Sequence, residues 1–345
     1  MRKLILILLS FVFVINCKSV DKLNNKTTVK IDTLVNDKIS IRAITVSKDT
    51  VWYSANNSRV GYICLKNKAH FETVINPTLL TEYRSIAATT NSIFVLSVGN
   101  PAQLYKFSKD LKQKELVYSE EHEKVFYDSM QFFDDLNGIA IGDPIDNCFS
   151  IIVTNDGGES WHKKRCENLP TVYEGEAAFA ASNSNIVIKK ENVWIVSGGK
   201  KARIFHSKNK GNTWQIIETP IVQGETMTGI FTADFYDEKL GIIAGGNYEK
   251  PNQNTQNKAI TIDGGDTWNL ISDGSGFGYA SCIQFVPNSN GKKIVSVGAN
   301  GLYYSNDKGK SWNNLLQDSN LYTIRFIDKN TAVAAGKNKI IRIKF

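Results

Sequence analysis

The chain has 345 residues, 42% of them hydrophobic and 10% aromatic, enough to build a sizeable core and too apolar for a disordered body. Its formal charge of +7 is mild. The lysines are scattered with no dense basic block, which argues against a nucleic-acid partner.

In chain order, the first element is a targeting segment. Residues 1–16 open with Arg2 and Lys3 and continue as an apolar run from Leu4 to Ile15. The shape is that of a secretory signal, shorter than the ~20 apolar residues a membrane-spanning helix needs. The run ends in "VINC", which resembles a bacterial lipobox with Cys17 as the lipidated residue. Asn16 departs from the small residue usual before that cysteine, and an ordinary signal peptide cleaved nearby is the alternative. Residues 17–27 read as a lipid-bearing cysteine and a polar tether. The expectation is export and membrane anchoring through the lipid alone.

Residues 28–345 read as one all-β domain. Thr28–Leu34 is an isolated strand pattern. A unit of four short strands then recurs, for example "SMQFF", "GIAIG", "SIIVT" and "SWHKKRC". Its third and fourth strands flank a box, seen as "TNDGGESW" at 154, "SKNKGNTW" at 207, "TIDGGDTW" at 261 and "SNDKGKSW" at 305. The box tryptophans Trp161, Trp214, Trp268 and Trp312 are 53, 54 and 44 residues apart. Eroded copies begin at Ser108 and Leu65. Four strands per unit with turns between them is the pattern of a β-propeller blade. Inner strands are expected to begin near Arg42, Arg84, Asp128, Glu176, Gly229, Ala280 and Thr323. The count is therefore seven four-stranded blades, with the N-terminal strand joining the last blade to close the ring and remove free edges.

The box has a structural reading. Glycine permits positive φ in a tight turn, Asp156, Asp263 or Asp307 accepts the turn's own amides, and Asn209 keeps the acceptor oxygen. Each tryptophan is expected between blades. A metal loop would need alternating carboxylates that the boxes lack. Cys148 and Cys166 flank the first full box at nearly equal distances and are a candidate disulfide, suited to an exported protein. Cys64 and Cys282 read as small core residues. His70, His122, His162 and His206 are dispersed without metal spacing, and no glycine-rich turn opens a helix, so neither metal nor cofactor is expected.

The boxes resemble the Asp-box, or BNR, repeats of sialidases and related propellers. Together with the exported start, residues 28–345 are most similar to the photosystem II assembly and stability factor family and its bacterial relatives outside photosynthesis. "GIAIGDP", "GEAAFAASN", "ARIFHS" and "GIFTADF" also resemble bacterial BNR-repeat proteins, some catalogued as oxidoreductases. The resemblance implies a propeller and, for the photosystem factor, a binding or assembly platform.

A propeller binds at its channel mouth, where inner strands start. That column contains Arg42, Arg84, Asp128 and Glu176, and loops on the same face add Asp143, Arg203 and Tyr248. Two readings stay open. Arg42–Glu176 and Arg84–Asp128 could be channel ion pairs, or the charges could form a site for a protein partner or a small polar or acidic ligand. The function expected is a non-catalytic, monomeric binding module. The alternative is a glycan hydrolase, which lacks the sialidase arginine segment here and would need two carboxylates suitably spaced.

Overall fold

The computed structural model describes residues 28–345; the signal segment and Cys17 lie outside it. Among the described residues the chain is strands and turns, with one 3-10 turn at Cys166–Asn168. No helix there is long and apolar enough to cross a membrane.

The expected count of seven four-stranded blades is corrected. The all-β propeller consists of six hydrogen-bonded sheets, four with four strands and two with six. The first six-stranded sheet exists because Lys30–Ser47 is one continuous strand. Its first half pairs with the C-terminal strand Thr331–Lys344, with Ile31 opposite Ile343 and Thr33 opposite Ile341. Its second half pairs with Thr50–Ala55, with Ile44 opposite Tyr53. Sequence reading cut this strand in two and assigned the pieces to separate blades. The second arises where the pattern starting at Glu176 breaks: only Glu176–Ala177 is strand, paired with Gly198–Gly199, and Gly198 bonds on to Gly229 of the next sheet. Regular structure resumes at Ile186, in a different sheet.

Two ion-pair clusters hold the long strand Lys30–Ser47, the first to the C-terminal strand and the second to the strands that follow it. Asp32 binds Arg342 and also Lys68 at 2.8 Å. Arg59 bridges Asp37 at 2.5 Å and Glu72 at 2.6 Å, and Glu72 accepts the buried Tyr53 hydroxyl at 2.6 Å.

Cores form where sheets face one another, because alternate residues of each strand point to the same side. Trp194 is fully buried, stacks on Phe235 at 3.8 Å, and donates its indole N–H to Gly264 O at 2.8 Å. Phe94, Phe132 and Trp161 form an equivalent cluster.

The boxes make identical turns. Thr261 Oγ1 donates to Asp263 Oδ1 at 2.7 Å and accepts Gly265 N–H at 2.9 Å; Thr267 donates its amide and hydroxyl to Asp263 at 3.0 and 2.6 Å. Hydrogen bonds from Thr261 and Thr267 hold the Asp263 carboxyl down at about 2. Ser207–Asn209–Thr213 repeats the turn with an amide, whose oxygen accepts the Thr213 N–H at 2.8 Å and whose Nδ2 donates to Thr213 Oγ1 at 3.0 Å, the reverse of the hydroxyl bond at Asp263. At Gly265 φ is +96°, and a Cβ would lie 3.1 Å from the Trp194 indole nitrogen, so both backbone shape and the neighbouring sheet demand glycine. The eroded copy keeps a remnant, Ser108 Oγ donating to Asp110 at 2.7 Å. Cys148 and Cys166, whose Cα atoms are 5.6 Å apart, are joined by a disulfide beside the first full box.

Candidate functional site

The axis of the propeller is filled. Residues 178–185, "AFAASNSN", replace a regular inner strand and cross the channel as a plug. A buried irregular segment must satisfy its polar groups internally, and this one does so largely by bonding to several sheets, although the fully buried Asn185 side-chain amide finds no partner. Asn183 donates to Ile86 O at 2.8 Å and accepts Met130 N–H at 3.0 Å. Ser182 Oγ donates to Ser281 O at 2.5 Å, and Ser184 shares a 2.7 Å bond with Thr232. Arg325 clamps it from the side, donating to Ser182 O at 3.0 Å and Asn183 O at 2.9 Å.

The plug separates two cavities. On the strand-start side a cavity of about 300 Å³ is lined by Arg42, Tyr248, Pro251, Tyr279, Ser281 and Tyr322, among others. On the other side one of about 170 Å³ includes Thr45, Gln131, Asn183 and Arg325. Arg42 and Thr45 are three residues apart on one strand, roughly 10 Å of rise, and line opposite cavities.

The larger cavity joins an aromatic wall to a cation. Tyr248 packs edge-on to Tyr279 at 5.1 Å, and Tyr279 edge-on to Phe231 at 4.8 Å. The Arg42 guanidinium lies 4.5 Å from the centre of the Tyr322 ring. Its Nη1 reaches Ala181 O of the plug at 3.4 Å, while its buried Nε has no partner. The buried Nε faces protein, but Nη2 makes no hydrogen bond among the described residues, and an arginine held over an aromatic face with that end unused can receive an anion.

The seven residues expected at the channel mouth fall into three groups. Arg42 and Tyr248 share this cavity. Glu176 and Arg203 form a closed pair, with Arg203 Nε donating to Glu176 Oε1 at 3.1 Å. Ser197 and the Tyr173 amide occupy the remaining lone pairs of Glu176 at 2.5 and 2.8 Å. Asp128, Asp143 and Arg84 form the third group. Neither expected channel pair is made: Arg84 bonds Glu82 at 2.7 Å, and Glu176 takes Arg203 instead of Arg42.

Fully buried Asp128 and half-buried Asp143 lie beside each other. Burial pushes the Asp143 carboxyl up to about 7, against the 2.9 Å hydrogen bond it accepts from Ala178 N–H. Burial and the neighbouring Asp143 raise Asp128 well above the ordinary carboxylate range; the Arg84 charge and the Ala180 amide offset this only in part. Neither Asp128 oxygen has a well-formed hydrogen bond. These carboxyls sit against the start of the plug and do not line the Arg42 cavity. Asp143 and Arg42 thus hold the plug at Ala178 and Ala181.

Sequence reasoning missed the plug, Arg325 and Pro251. The available signal was the interval from Glu176 to Ile186, whose run of small and amide residues lacks strand alternation.

No family model matches the chain, and no curated protein matches it. Among solved structures it is similar to YCF48 bound to D1 peptide, at 11% identity and TM-score 0.65, covering 92% of this chain and 97% of that one. It is also similar to YCF48 from Cyanidioschyzon merolae, at 12% identity and TM-score 0.65, covering 91% and 98%. The structure of U3-55K aligns at 10% identity and TM-score 0.64, covering 91% and 98%. At these identities the likeness is one of fold, and the fold shared over almost the whole described chain is a β-propeller.

Proposed function

We propose that this chain is an exported, lipid-anchored, monomeric propeller that binds a protein partner, without catalysis, at the cavity formed by Arg42, Tyr248, Tyr279 and Tyr322. The observation that carries the reading is the under-used Arg42 guanidinium stacked on Tyr322 in an aromatic-walled cavity of about 300 Å³. Tyrosine and arginine are the side chains that most often anchor protein interfaces. The cavity lining contains no carboxylate, which weighs against a hydrolase that needs a pair there. Glu176 is saturated by its own partners. A YCF48 propeller has been solved with a D1 peptide, and that precedent for the fold supports a peptide segment as the ligand. The Cys148–Cys166 disulfide favours an oxidising compartment, in keeping with the signal segment.

The test is affinity capture from envelope extract with wild-type, Arg42→Ala and Tyr322→Ala proteins of equal thermal stability. A stoichiometric partner retained by wild type and lost by both variants is expected. Identical captures by all three would remove the cavity from the interface. Mass spectrometry of the membrane fraction checks the anchor: Cys17 should carry a lipid, and an unmodified mature N-terminus would eliminate that part of the reading.

A further inference from the structure

The Arg42 cavity does not end at Tyr322. The other side of Tyr322 faces a second, more open cavity of about 430 Å³, lined also by Lys38, Ser40, Asn56, Asn57, Lys337 and Asn338. Tyr322 is therefore a saddle between two lobes of one groove. Three cations, Arg42, Lys38 and Lys337, line the lobes, and no carboxylate does. None of the three makes an ion pair among the described residues. Three carboxylates adjoin the groove in sequence; two are engaged elsewhere, and the third, Glu249 beside Tyr248, is exposed and makes no ion pair among the described residues. Asp37 is bound to Arg59 at 2.5 Å, and Asp318 to Lys339 at 2.8 Å. Two of the three nearby acids are paired, while the three bases that line the groove are not.

A concentration of unpaired cations in a concave surface attracts and orients an anionic partner. The tyrosine-lined lobe offers only two side-chain hydroxyls, Ser281 and Ser319, beyond its tyrosines, and is otherwise Pro251, Gly298 and Ala299. A carboxylate side chain on a short apolar stem would fit, with its charge on Arg42. Building on the partner-binding reading, we infer that the groove takes an extended acidic peptide segment. One carboxylate sits at Arg42 in the tyrosine lobe, and the chain passes over Tyr322 so that further carboxylates meet Lys38 and Lys337.

The experiment is fluorescence anisotropy with full-length protein and a labelled ten-residue Glu-rich peptide, beside its Gln counterpart and an acidic oligosaccharide, polygalacturonate. The expected result is binding of the Glu peptide that weakens at least tenfold from 50 to 300 mM salt, with the Gln peptide at least tenfold weaker throughout. Lys38→Gln with Lys337→Gln, both on exposed side chains, should weaken it at least fivefold without changing the melting temperature. Equal affinity for Glu and Gln peptides, or no effect of the lysine pair, would overturn the inference. Tighter binding of polygalacturonate with the same dependence on the lysines would also overturn it, transferring the groove to an acidic glycan. If the envelope partner is lost with Arg42→Ala yet kept by the lysine double variant, the binding reading survives and the acidic groove does not. If wild type captures no partner, the binding reading itself falls.

Discussion

Asp143 gives a prediction whose sign runs against intuition. Its carboxyl titrates at about 7 in the folded protein and near 3.8 in a solvated chain. Between those values the folded state holds a proton that the unfolded state has lost. The stability Asp143 contributes is therefore fully present below pH 3.8 and disappears as pH rises through 7. The loss between pH 5 and pH 8 is on the order of a few kcal/mol and is shared with the neighbouring Asp128, whose own rise Asp143 helps to cause. Wild type alone would not reveal it. Burial lowers the pKa of His206 to about 4 from 6.5, so His206 makes the protein more stable as pH rises over part of the same window. The difference between wild type and Asp143→Asn cancels His206. The asparagine keeps an oxygen for Ala178 N–H and cannot ionise. Urea unfolding at pH 5, 6, 7 and 8 should show the variant gaining on the order of a few kcal/mol relative to wild type across the series. A stability difference independent of pH would refute the protonated, plug-holding carboxyl.

Three further outcomes are expected. Glu176→Ala strips the largely buried Arg203 of its partner and should cost about 3–5 kcal/mol in urea unfolding. Asp263→Asn should be nearly neutral, because Asn209 makes the same turn, while Asp263→Ala should lower stability by about 1–2 kcal/mol through loss of the Thr267 bonds. Cys148→Ser with Cys166→Ser opens a loop of sequence separation 18 and should cost about 3 kcal/mol, read as a lower urea midpoint.

The turns were legible and the sheet boundaries were not, for one physical reason. A box is local: an acceptor, a hydroxyl and a glycine within eight residues determine its hydrogen bonds, so the sequence pattern and the turn coincide. A sheet boundary depends on which edges find each other. Lys30–Ser47 holds edges to Thr331–Lys344 and Thr50–Ala55 at once, and a single Gly198–Gly229 pairing joins two further groups of strands. The pairing of the N-terminal strand with the C-terminal one was expected from the sequence; its unbroken continuation into the pairing with Thr50–Ala55, and the Gly198–Gly229 link, leave no mark in residue type. The channel column shows the same division. Periodicity brought Arg42 and Tyr248 to one cavity, and placed Glu176 and Asp128 near the axis. It could not assign their partners, because Glu82 and Arg203 lie off the column and compete for the same charges.

The plug explains why the charged column did not become one site. An open channel would let Arg42, Asp128 and Glu176 face common water. Residues 178–185 occupy that space and divide the charges among different tasks: Asp143 holds Ala178, Arg42 reaches Ala181, and Arg325 clamps Ser182 and Asn183. Because the plug bonds to Ile86, Met130, Thr232 and Ser281 together, moving it aside would break hydrogen bonds to several sheets at once. A ligand threading the axis would have to replace every one of them. A ligand lying across the strand-start face breaks none. What the plug leaves available there is one side of Arg42, the tyrosine wall, and the unpaired lysines beyond Tyr322. The rigidity of the filled axis therefore favours recognition of a surface segment over enclosure of a substrate.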